Sequence, residues 1–118
     1  MPATNGVLIG WNRVVPGKEE QAVALFAEAM EFWAQQQRTG AIESCEPVFL
    51  APHGGELNGF FLVRGDPDKL NQVMDSDAYL LIETKATNWL QDHGVIRASF
   101  GEAIKHRMAV YQKVADGG

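Results

Sequence analysis

The stretch that most constrains this chain is a long amphipathic segment, Lys18 to Arg38, entered through the turn Pro16-Gly17. On a helical projection Ala22, Leu25, Phe26, Ala29 and Trp33 share one face, with Val23, Met30 and Phe32 at its margins. Glu20, Ala24, Glu28, Glu31 and Gln35 lie opposite. A wide apolar stripe against a polar back is the pattern of a helix lying on a sheet. Glu19 and Glu20 suit the positive end of the helix dipole and Arg38 the negative end. Gly40 can take positive φ and stop the helix. At about 1.5 Å per residue the segment is roughly 30 Å long, enough to cross a small sheet.

Around that helix the chain reads as short strands and a broken second helix. Val7 to Val15 is rich in β-branched and aromatic residues and reads as a strand. Val7, Ile9, Trp11 and Arg13 fall on one parity; Leu8, Gly10, Asn12 and Val14 fall on the other. Both faces are largely apolar, which predicts that both are covered. Ile42 to Leu50 is a second strand, and Pro47 within it predicts an edge or a bulge. Pro52-His53-Gly54-Gly55 is turn chemistry leading into a third strand, Leu57 to Arg64, so the two strands form a hairpin. Asp66 and Pro67 have the chemistry of an N-cap and a first helical residue. That helix runs to about Met74, and Asp75-Ser76-Asp77 breaks or re-caps it. Ala78 to Asp92 continues, with Ala78, Leu81, Ile82 and Trp89 near one face and His93-Gly94 as the stop. Val95 to Phe100 is a fourth strand. Glu102 to Ala115 places Ile104, Met108, Tyr111 and Ala115 at helical spacing, although the same residues also alternate tolerably as a strand.

The order is therefore β-α-β-β-α-β plus a C-terminal helix. It is an α+β arrangement: a four-stranded antiparallel sheet with both helices on one face. Helices on one side leave the apolar second side of the first strand open, and such a face is an association patch. A second copy of the same sheet closes it with two-fold symmetry. The expected assembly is a homodimer joined through its sheet faces.

Composition bounds the rest. A chain of 118 residues is expected to be one domain with its own core. A net charge of −5, with no basic cluster, argues against nucleic acid and anionic membrane surfaces as partners. A lone Cys45 allows no internal disulfide and fits a reducing, cytoplasmic compartment. Met1 to Gly6 lacks the basic and apolar regions of a secretion signal, and Asp116-Gly117-Gly118 is expected to fray.

Two short motifs carry a resemblance. Trp11-Asn12-Arg13-Val14-Val15-Pro16-Gly17, leading into the first helix, and the junction Asp75-Ser76-Asp77-Ala78-Tyr79 resemble the dimeric α/β-barrel (ferredoxin-like) superfamily over most of residues 6 to 100. Its members include antibiotic-biosynthesis monooxygenases, haem-degrading monooxygenases and stress-responsive barrel proteins. The resemblance implies dimerisation and a cavity between sheet and helices, not an activity. The haem-degrading branch pairs an asparagine on the first strand with a tryptophan before the serine-aspartate junction and a histidine two turns later. Asn12 matches, but Val73 stands near the tryptophan position and Ile82 and Glu83 near the histidine, so haem is not expected.

The candidate ligand-binding residues are Asn12, Tyr79, Trp89 and Arg97. Asn12 could orient a ligand carbonyl, or simply bond to neighbouring groups. Arg97 could meet an anionic ligand, or pair with Glu43 or Glu46 across strands. Trp11, Trp33 and Trp89 could stack on a planar ligand, or serve as core. Tyr79 could donate a proton, or anchor the helix start. His53, His93 and His106 lack ligand spacing, so no metal is expected. His53 reads as an exposed hairpin residue and His93 as an imidazolium at a helix end. With no phosphate-cradling glycine loop, dinucleotide fingerprint or nucleophile elbow, no cofactor is expected. Three readings of function follow: a dimer binding a small, largely apolar or aromatic ligand; a cofactor-independent monooxygenase acting on an aromatic or polyketide-like compound; and an accessory dimer with a filled core.

Overall fold

The structure is a computed structural model and describes residues 4–117. The central strand β1 (Gly6–Trp11) pairs antiparallel with β3 (Gly59–Arg64) on one side and β4 (Gly94–Ala98) on the other. The edge strand β2 (Ser44–Phe49) pairs with β3, giving the sheet order β2-β3-β1-β4. Pro47, which has no N–H to give to a ladder, thus lies on an edge, as its chemistry requires. β1 is shorter than its composition predicts. It ends at Trp11, and beyond it the backbone stays tied to the segment after α3: the Asn12 N–H donates to the Gln91 carbonyl at 2.8 Å and the Val15 N–H to the Trp89 carbonyl at 2.8 Å, around an isolated bridge between Val14 and Leu90.

Helix α1 (Glu19–Arg38) buries Ala22, Leu25, Ala29 and Trp33 against this sheet, with Phe26 partly buried beside them. Helix α2 (Pro67–Met74) starts where Asp66 accepts a hydrogen bond from the Lys69 N–H at 3.1 Å. Ser76 then caps helix α3 (Asp77–Trp89), its hydroxyl accepting from the Tyr79 N–H at 3.2 Å. The break at Asp75-Ser76-Asp77 is therefore a re-capping. The buried face of α3 is Tyr79, Ile82 and Ala86, not the expected Ala78 and Leu81, of which Leu81 is 55% exposed. Lys85 on α3 reaches Glu28 on α1 at 3.0 Å and ties the two helices along their outer edge.

Register decides which residues meet the helices. Val7 faces Val63, Ile9 faces Phe61 and Trp11 faces Gly59, and all four apolar residues of the first two pairs are buried in the core. Leu8, Phe60 and Leu62 have the opposite parity, in line with Ile96, which is 59% exposed. That second side is covered only at its ends. A Cβ on Gly6 would meet the Phe100 ring at 2.3 Å and one on Gly10 would meet Leu57 at 2.7 Å, so those two side chains lie across the strand. Arg64 sits over the same Phe100 ring, 4.4 Å from its centroid. The sheet of one chain is open rather than a closed barrel.

The C-terminal segment is helix α4 (Glu102–Ala115), entered through Gly101 at φ 54°. Ala103 is its buried residue, while Ile104, Met108, Tyr111 and Val114 are exposed. Asp116 caps α4, and Gly118 lies outside the described residues, as does the start of the Met1 to Gly6 segment. No helix among the described residues is long and apolar enough to cross a membrane.

Candidate functional site

The space between sheet and helices is not filled. A cavity of about 260 Å³ lies there, walled by β1 and β3 through Ile9, Trp11 and Phe61, by α1 through Leu25, Phe26, Ala29 and Trp33, and by α3 through Ile82 and Ala86. Aromatic rings dominate the wall. Phe26 stacks on Phe61 at 5.5 Å between centroids, Trp11 lies 5.6 Å from Phe61, and Trp33 meets Phe32 edge-on at 5.0 Å. Such geometries are favourable for ring pairs.

Three titratable side chains interrupt this wall: Tyr79, Glu83 and His93. Tyr79 and Glu83 are one turn apart on α3, and His93 comes from the loop after that helix. Tyr79 is 2% exposed and its ring packs against Phe32 and Trp33, yet its hydroxyl has no hydrogen-bond partner. A buried hydroxyl without a partner forfeits about 1–3 kcal/mol. Burial pushes the Tyr79 phenol above its ordinary pKa, and the Glu83 carboxylate adds to the rise, so the group stays protonated. Burial holds the His93 imidazole below its ordinary value, opposed in part by Glu83. Burial therefore disfavours the imidazolium that would serve a helix end. Helix α3 stops four residues earlier, at Trp89. Glu83 and His93 also line an adjoining polar depression with Thr84, Thr87 and Asn88.

Of the four candidates named from sequence, Tyr79 lines the cavity and the others stand outside its wall. Asn12 donates to an Asp92 carboxylate oxygen at 3.0 Å and accepts from the Asn58 amide at 2.5 Å. It thus locks the end of β1 to two loops. Asp92 holds φ 55° at that junction, a conformation an aspartate tolerates. Trp89 is partly buried against the core from the end of α3. Arg97 is exposed on β4, opposite Val7. Because β2 lies at the other edge of the sheet, Arg97 is not across from Glu43 or Glu46. Trp11 and Trp33 do line the cavity.

Cys45 faces the helix side in register with Val63, and burial pushes its thiol up to about 12, so it carries no thiolate. His53 closes its own turn: the Gly55 N–H donates to its Nδ1 at 3.3 Å and its Nε2 lies 2.7 Å from the Leu57 carbonyl. Among the described residues no three His, Cys, Asp or Glu side chains are grouped as metal ligands would be.

No family model matches the chain, and no match is found among curated proteins. Solved structures do match. A dimeric protein of unknown function and ferredoxin-like fold from Bacteroides fragilis superposes with a TM-score of 0.59 at 10% identity, over 83% of this chain and 97% of that one. The chain has the ferredoxin-like fold. A dimeric ferredoxin-like protein of unknown function from Thermobifida fusca gives a TM-score of 0.58 at 10% identity, over 85% and 95% of the two chains. A protein from Nitrosomonas europaea named as a candidate antibiotic biosynthesis monooxygenase gives 0.57 at 11% identity, over 85% and 93%. At such identities the likeness to these ferredoxin-like proteins is one of fold, and the activity has to be argued from the cavity.

Proposed function

We propose that this protein is a homodimer that binds a small, largely apolar aromatic molecule in the cavity between the sheet and helices of each subunit. The observation that carries the reading is the cavity itself: about 260 Å³, aromatic-walled, with its titratable groups gathered from α3 and the following loop. An apolar pocket with a few convergent polar groups is the ordinary form of a small-molecule site. An apolar cavity of roughly 150 Å³ holds benzene, so this one is sized for one or two rings. It also weighs against the accessory-dimer reading, which requires a filled core. Tyr79 is the ligand contact retained from the sequence; Asn12 supports the wall by fixing the end of β1.

The dimer is supported by two apolar surfaces that one chain leaves uncovered. Leu8, Leu62 and Ile96 mark the open side of the sheet, and Ile104, Met108 and Tyr111 run along α4. The dimeric state of two solved neighbours fits the same arrangement. A thermal-shift panel of one- and two-ring aromatic compounds tests the ligand: a compound that binds only the native state raises the melting temperature. Light scattering tests the dimer. If no compound in the panel shifts the transition, the ligand reading is wrong.

A second reading is a cofactor-independent monooxygenase. It is favoured by a neutral imidazole, able to accept a proton, at the end of an aromatic cavity, and by the name carried by the Nitrosomonas europaea neighbour. Oxygen uptake with quinol-type substrates and no added cofactor tests it. Uptake should fall about a hundredfold or more in His93→Gln, the scale of a lost general base. Uptake that ignores His93 would remove that role.

A further inference from the structure

Helix α4 is anchored to its own chain at one end. Ala103, in its first turn, is its buried residue, while Ile104, Met108, Tyr111 and Val114 are between 48% and 70% exposed. Steps of four, three and three residues put these side chains on one stripe. A helix of 14 residues is marginal in water by itself, so the stripe needs a surface to lie on. The body of its own chain does not supply one. The Cα radius of gyration is 16.1 Å, against about 13.5 Å for a compact domain of this length, and the longest dimension is 53 Å. The helix leaves from the open side of the sheet: Phe100, just before Gly101, is the ring that lies across Gly6 on that side, and its carbonyl accepts from the Ala103 N–H at 3.1 Å. Yet α4 does not lie back over that side, where Ile96 stays 59% exposed.

We propose that α4 is an exchanged arm: in the homodimer its apolar stripe packs on the open side of the second copy's sheet, and the second copy's arm does the same in return. This rests on the homodimer reading above and names the element that holds the two copies together. Three observations choose a second copy as the occupant. Leu8, Leu62 and Ile96 mark an apolar side that one chain leaves open, so each copy carries both halves of the contact, as an isologous interface requires. The arm has the reach: 14 residues span about 21 Å, and the four strands, about 4.8 Å apart, span roughly 14 Å. The charges are complementary. Helix α4 holds Lys105, Arg107 and Lys113 against Glu102, a net +2 in a chain of net −5, which leaves −7 on the rest. Glu46, paired with Leu62 and so of the same parity, brings part of that negative charge to the open side. A basic arm is drawn to an acidic body, and the net negative charge of the whole chain weighs against an anionic membrane as its seat.

The test is isotope-filtered NMR on the full wild-type chain, mixed from labelled and unlabelled subunits, with light scattering on the same sample. Light scattering should give the mass of a dimer. Methyl contacts should then join Ile104, Met108 or Val114 of one subunit to Leu8, Leu62 or Ile96 of the other. A double variant, Met108→Glu with Tyr111→Glu, should weaken the dimer at least about a hundredfold, the scale of lost central contacts in an interface. Its circular dichroism should stay that of the wild type, because both side chains are exposed in the single chain. The wild-type contacts decide the matter if the variant fails to fold. A dimer whose arm touches only its own chain, or neither copy, overturns the exchange and leaves the homodimer reading standing. So does a folded double variant that dimerises as tightly as the wild type. A protein that stays monomeric at every concentration removes both.

Discussion

Filling the cavity should stabilise the protein and remove its binding at once. Ala86 on α3 and Ala29 on α1 both line the space and are 6% and 5% exposed. Ala86→Leu adds three carbons to a wall that borders about 260 Å³ of void. At about 0.8 kcal/mol per buried carbon the ceiling of the gain is about 2.4 kcal/mol. Crowding against the opposite wall takes back about 1 kcal/mol or more when a rotamer has to adjust. The expected net gain is about 1 kcal/mol, which raises the melting temperature by about 4 °C in a chain of this size. Ala29→Leu approaches the same void from the other helix and should behave alike. Urea melts read the stability, and titration with 2-naphthol reads the binding, which should weaken at least about tenfold because the ring's place is taken. If both variants lose more than about 1 kcal/mol and neither affects binding, the helices are already in contact at these positions and the void is not a site.

Three further outcomes follow from the same geometry. Tyr79→Phe removes a buried hydroxyl that has no partner and should raise stability by about 1 kcal/mol in the ligand-free protein; a loss of that size in a urea melt would show that the hydroxyl is paired in solution. His93 has its folded pKa below its unfolded one, so its contribution is present above the unfolded value and is lost as pH falls through the folded value. Stability should therefore drop on acidification below about pH 6.5, and His93→Gln should flatten that limb; an unaltered limb would assign it to other groups. Asp66→Ala and Ser76→Ala each remove a cap and should each cost about 1 kcal/mol, additively, with changes under about 0.3 kcal/mol counting against the capping geometry.

The fold was legible because its signals are local and periodic. The stripe of Ala22, Leu25, Ala29 and Trp33, the Asp66-Pro67 start and the proline on an edge strand each carry their reason in a few neighbouring residues. The one-sided covering of the sheet followed from the topology, which places both crossover helices on one face. Strand ends were less legible: Asn12 and Arg13 continue the composition of β1, but the regular strand stops at Trp11, and the partners of Asn12 there (Asp92, Asn58 and the Gln91 backbone) are far away in sequence. The site was harder still. Tyr79, Ile82, Glu83 and Ala86 recur at three- and four-residue steps, so an acid on the apolar face of α3 was visible in the spacing. Choosing Ala78 and Leu81 for that face turned the helix and hid it. His93 carried no such signal. Its meeting with Glu83 depends on how the loop after Trp89 returns to β4, which no local pattern specifies.

The central claim is that the aromatic-walled space between sheet and helices is where a ligand sits. Isotope-filtered NMR on labelled protein with unlabelled 2-naphthol reads this directly. Intermolecular contacts are expected from the ligand rings to Ile9, Ala29, Ile82 and Ala86, which line the cavity. Contacts to Leu8, Leu62 and Ile96 on the open side of the sheet instead, or no contacts from a ligand that binds, would contradict it.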